Sequence, residues 1–239
     1  MLNATSIRVL AILVAGVPAY GSILYETATN GGGSSNGGNG VLQTQFLGTR
    51  FTLGYGSTIT TITAQVQNFE GTDPFFLTLL QLSGPGLLPN NLIGDPFGGT
   101  TQIYTTTFNA APQFSAEEVA IPLSLSVPAG TYAIVVGTGL FGSPNTSIGS
   151  MPTSFFSGNV VLPGADLIIW YDPTQSPGQF ASGRWLETVN FGERFEVQGT
   201  TPEPLSSITV FLGLIALASK LAKPKKGWWG SAARAVFSL

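Results

Sequence analysis

The chain has no cysteine and no histidine, and only 9% of its residues are charged, against about 25% in an ordinary soluble domain. Without cysteine there is no thiolate nucleophile, no disulfide and no sulfur-held zinc or iron–sulfur site. Without histidine there is no Ser-His-Asp or Cys-His constellation and no imidazole-held zinc, copper or haem. Acid–base chemistry falls to carboxylates alone, as in the glycosidases that work with two of them. Lysine is absent from most of the chain: Lys220, Lys223, Lys225 and Lys226 are all there is. Between Ser22 and Thr201 three arginines (Arg50, Arg184, Arg194) face eleven carboxylates, which leaves that span eight negative charges in excess. A nucleic-acid surface needs clustered Arg and Lys to displace counterions from phosphates, and the central span has no such cluster.

Apolar character is concentrated at the two ends. The first carries Arg8, then Val9-Leu-Ala-Ile-Leu-Val-Ala-Gly-Val, a helix-breaking Pro18, and small residues at Ala19 and Gly21. That order fits a secretory signal peptide over residues 1–21 with cleavage after Gly21. The run is too short to cross a hydrocarbon core of about 30 Å as a helix. At the other end, Pro202-Glu203-Pro204 precedes an apolar stretch that leads into the four lysines. As a helix, residues 205–222 reach about 27 Å at about 1.5 Å per residue, marginally enough to span. The lysines beyond form a basic stop cluster that stays cytoplasmic under the positive-inside rule, with the bulk of the chain outside.

Pro202-Glu203-Pro204, apolar span and basic cluster, in that order, resemble the PEP-CTERM sorting signal of exopolysaccharide-producing Gram-negative and cyanobacterial cells. The resemblance covers residues 201–226. It implies a membrane-embedded exosortase, a cysteine transpeptidase-like enzyme, as the partner that reads the motif and removes the tail. Segments 44–51, 127–137 and 190–195 also look like the small β-rich ectodomains found upstream of such tails in cyanobacteria. The chain departs from that pattern after its lysines, continuing through Trp228-Trp229 to Leu239 as an atypical extension, 227–239.

The middle reads as strand after strand. Residues 22–40, with Gly, Ser and Asn crowded between Thr29 and Gly40, read as a flexible segment. From Val41 to residue 200, apolar residues near a period of two alternate with Gly/Pro turns such as Gly84-Pro85-Gly86 and Asp95-Pro96. No stretch there keeps helical periodicity. The expectation is an all-β, antiparallel two-layer sandwich, jelly-roll-like, flanked by an N-terminal signal helix and a C-terminal transmembrane helix. Leu123, Leu125 and Val127 face inward with Tyr132, Ile134 and Val136 across a hairpin at Pro128-Ala-Gly130.

Chemistry candidates are few. Glu117-Glu118 are strand neighbours that point to opposite faces and read as solvated edge charge. Asp166 and Asp172 flank a strand and could ligate Ca²⁺ with loop carbonyls, but no Asp-x-Asp-x-Asp-Gly loop accompanies them. Trp170, Tyr171 and Trp185 could stack on a sugar face, the alternative being core packing. No serine or threonine has a visible base. The expectation is therefore a non-enzymatic exported protein without metal or cofactor, carried by signal peptidase and the general secretion machinery. It is anchored in the inner membrane before processing, then resides in the cell envelope or extracellular matrix with exopolysaccharide. A lectin-like surface protein held by a plain C-terminal anchor is the alternative.

Overall fold

The computed structural model describes residues 21–31, 37–69, 73–89, 93–110, 116–173 and 182–201. The signal segment before Gly21 and everything from Pro202 onward lie outside them. Strands come in the order β1 (Ser22–Glu26), β2 (Ala28–Thr29), β3 (Asn39–Val41), β4 (Gln45–Leu53), β5 (Ser57–Asn68), β6 (Phe75–Leu82) and β7 (Thr101–Phe108). They continue with β8 (Glu117–Val127), β9 (Gly130–Gly137) and β10 (Gly149–Met151), then one helical turn, α1 (Ser154–Ser157). β11 (Val160–Val161), β12 (Leu167–Tyr171), β13 (Arg184–Thr188) and β14 (Phe195–Thr200) complete the order. Apart from that one helical turn the described residues are all-β, and every strand pair among them is antiparallel.

One six-stranded sheet runs β1-β14-β5-β10-β3, with β8 also paired to β5; a second runs β13-β12-β4-β9-β6-β7. The two sheets share an apolar interior. Ile59, Ile62, Ala64, Val66, Phe195 and Val197 of the first pack with Leu47, Phe51, Leu77, Tyr132, Ile134 and Val136 of the second. Alternate residues of a strand point to opposite faces, so β9 sends Tyr132, Ile134 and Val136 inward and Ala133 and Val135 outward. The outward set is buried too. Phe46, Phe76, Leu80, Val135, Ile168, Trp170 and Trp185 form a second cluster capped by Phe97 from the connection after β6. The second sheet is thus covered on both faces, which is why Phe75-Phe-Leu-Thr-Leu-Leu-Gln-Leu82 is nearly continuous in apolar residues.

Two expectations need correcting. β8 and β9 do not form a hairpin: β8 pairs with β5 in the first sheet, while β9 pairs with β4 and β6 in the second. Pro128-Ala129 is a corner between sheets, closed by the Tyr132 hydroxyl donating to the Pro128 carbonyl at 2.6 Å. Inward-facing periodicity is the same for either geometry, so alternation alone could not separate them. The sheet also begins earlier than Val41, since β1, β2 and part of β3 fall within residues 22–40. Glycine-rich composition there is offset by tertiary pairing of the flanking residues with β14, β11 and β10.

Candidate functional site

The expected processing sites flank the first sheet. β1 and β14 run antiparallel with Ser22 opposite Gly199 and Glu26 opposite Glu196. Ser22, the residue after the expected cleavage, therefore shares one end of the sheet with Thr200, where β14 stops. Gly21 is exposed just ahead of β1. Ala19, the Pro202-Glu203-Pro204 motif, the apolar segment, Lys220, Lys223, Lys225, Lys226 and the 227–239 extension lie outside the described residues.

The aromatic candidates are placed in the core. Trp170 is 0% exposed and Trp185 3%. They sit opposite each other on β12 and β13, edge to face at 5.8 Å, and the Trp185 indole N–H donates to the Pro96 carbonyl at 2.6 Å. Neither ring offers an open face to a sugar; only Tyr171 remains half-buried. Asp166 and Asp172 are not neighbours. They bracket β12, a five-residue strand, about 17 Å long at about 3.4 Å per residue. Asp166 is held by Arg50, while buried Asp172 accepts from the Ser182 hydroxyl at 3.4 Å. Among the described residues no group of His, Cys, Asp or Glu could hold a metal ion, and no helix is long and apolar enough to cross a membrane.

Sequence reading overlooked the arginines. Arg194, whose side chain is 8% exposed, is ion-paired to Glu26 on β1, Glu118 on β8 and Glu196 on β14, and also donates to the Ala28 carbonyl. Glu118 is an exposed charge on the edge strand β8, as expected, and is in addition a partner of Arg194. Desolvation opposes the charge on Arg194, but its bonds to Glu26 and Glu118 outweigh that and raise its pKa. Beside it, fully buried Glu193 accepts from the Phe191 amide at 2.9 Å and from the Asn39 side chain. Burial nonetheless pushes Glu193 above the usual carboxylate range. The available signal was scarcity: with three cations among eleven carboxylates, a cation that is buried has several carboxylates to serve, as Arg50 and Arg194 do.

Arg50 on β4 is the second hub. Its Nε and Nη2 donate to the two Asp166 carboxylate oxygens, each at 2.8 Å, and Nη2 also meets Glu187 at 2.9 Å. Desolvation of Arg50 is again outweighed by these two partners, so its pKa is raised. Tyr25 reaches over from β1, its hydroxyl 2.8 Å from that of Thr49 and its ring stacked on Phe51 at 5.2 Å. Burial raises the Tyr25 pKa as well. In front of Arg50 lies a cleft of about 390 Å³, bordered by Tyr25, Thr52, Thr131, Asp166 and the turns at Gly86 and Gly164.

No family model matches the chain, and no curated protein matches it. Among solved structures it is similar to a chain in the structure of infectious bursal disease virus, Gx strain, at 11% identity, covering 77% of this chain and 42% of that chain. The TM-score of that likeness is 0.24, which carries no argument about fold or activity.

Proposed function

We propose that the chain is a non-enzymatic, exported cell-envelope or matrix protein whose 201–226 tail is read by an exosortase-type membrane enzyme. The observation that carries this reading is the order of Pro202-Glu203-Pro204, apolar span and lysines following directly on the last strand. β14 stops at Thr200, and the two prolines, lacking amide hydrogens, cannot extend its ladder. Proline chemistry disfavours helix in the residue before each ring, and extended peptide is the form in which an active site can grip a motif. Glu203 keeps the segment out of hydrocarbon and fixes its depth at the membrane surface. The pattern of strands supports a jelly-roll-like arrangement within this reading. The chain passes from one six-stranded sheet to the other between β3 and β4, β4 and β5, β5 and β6, β7 and β8, β8 and β9, β9 and β10, and β13 and β14.

The test is to replace Pro202, Glu203 and Pro204 together with Ala in a host that carries the sorting enzyme. The wild-type chain loses its tail, while the variant accumulates uncut at the membrane. Equal mobility of the two, both full length, refutes sorting and leaves a plain anchor. Deleting 227–239 in parallel reports whether that extension slows cutting. A second reading, a lectin-like surface protein, is favoured by the cleft at Arg50 rather than by the tryptophans.

A further inference from the structure

We propose that the cleft in front of Arg50 is a binding site for a neutral, hydroxyl-rich ligand, a saccharide unit; the inference deepens the lectin-like reading and moves its site. The volume, about 390 Å³, lies within the range of about 300–1,000 Å³ usual for small-molecule pockets. It opens where β1 of one sheet meets β4 and β9 of the other, so it is built from both layers of the core.

The chemistry of the wall selects the ligand. Arg50 is 6% exposed and pinned through Nε and Nη2, yet its Nη1 has no hydrogen-bond partner among the described residues. Nη1 itself has no accessible surface, so a ligand in the cleft meets the accessible groups around Arg50 rather than this donor. An anionic acceptor is opposed by charge: Asp166 and Glu187 together outnumber the one guanidinium, within a span carrying an excess of negative groups. Acceptors for a ligand's own hydroxyls are present as well. The Asp166 side chain is 39% exposed, with lone pairs beyond those Arg50 occupies. The hydroxyls of Thr52 and Thr131, 3.3 Å apart, form at best a long bond with each other and can turn to donate or accept. The Tyr25 ring adds an apolar wall backed by Phe51. Closely spaced donors and acceptors beside an aromatic face match a sugar ring, with its adjacent hydroxyls and apolar C–H face.

The experiment is isothermal titration of the full-length chain, in a detergent without a sugar headgroup. The probes are neutral gluco- and galacto-oligosaccharides and uronic-acid oligosaccharides of the same length. Two variants accompany the wild type. Thr52→Trp fills the cleft from an exposed position and leaves the Arg50–Asp166 pair intact; Asp166→Asn removes the acceptor charge. The expected result is saturable binding of a neutral oligosaccharide, weakened at least about tenfold, or about 1.4 kcal/mol, by Thr52→Trp at unchanged thermal stability. Binding untouched by Thr52→Trp, preference for the uronic acids, or no binding of any neutral probe overturns the proposal. Tail processing is scored separately by mass, so failure of the cleft and failure of sorting are distinguishable.

Discussion

Arg194 shows how a charge-poor chain spends the few cations it has. One guanidinium draws Glu26, Glu118 and Glu196 together and so ties β1, β8 and β14 at a single point. Replacing Arg194 with Met strands three carboxylates around an apolar stem, and removing one partner of a buried ion pair costs about 3–5 kcal/mol. Urea unfolding of the variant should show that loss; a change below about 1 kcal/mol would mean that solvent already screens the cluster. Glu193 gives a pH signature. Burial raises its pKa in the fold above the ordinary value of 4.5, so the folded state holds this proton more tightly than the unfolded chain does. Its favourable contribution is complete below that ordinary value, falls as pH rises toward the raised one, and stays lost above it. Stability of the wild type relative to Glu193→Gln should therefore decline with rising pH through that window and then level off. A difference that is flat from about pH 4 to about pH 8 would contradict it. None of these contacts was legible in the sequence, because Arg194 meets Glu118 and Glu26 across separations of 76 and 168 residues.

Strands were legible where alternation is a local property. The stretches around Ile59–Val66, Phe75–Leu82, Val119–Val127, Thr131–Val136 and Leu167–Tyr171 are all strands in the fold. Pairing was not legible, because a two-residue Pro-Ala link serves as a hairpin or as a corner with the same residues facing inward. The outer cluster was missed for a related reason: a sheet buried on both faces loses the polar half of its alternation. Trp170 tests this at the level of the element. Trp170→Ala removes a fully buried ring that packs against Trp185, and such a truncation costs about 3–5 kcal/mol. Thermal unfolding should show the loss as a sharply lowered midpoint; an unchanged midpoint would return Trp170 to the list of surface rings. Gly137→Ala probes the same cluster from the other direction. A methyl group at Gly137 would collide with the rings of Phe46 and Phe76, so overpacking of about 1–3 kcal/mol is expected in the same assay.

For the whole molecule, composition separates a span rich in carboxylates from two apolar ends, and the sheets described here begin at Ser22 and stop at Thr200. The proposed export and sorting signals could be read from sequence because such signals are written in local hydropathy and charge order. The cleft does not, since Tyr25, Arg50, Thr131 and Asp166 meet only through the pairing of two sheets. Export and sorting are the central claim, and the intact mass of the protein isolated from its native envelope tests them most directly. The account predicts a chain that begins at or near Ser22 and ends near the Pro202-Glu203-Pro204 motif, well short of 24.9 kDa. A species of 24.9 kDa that begins at Met1 and ends at Leu239 would contradict it.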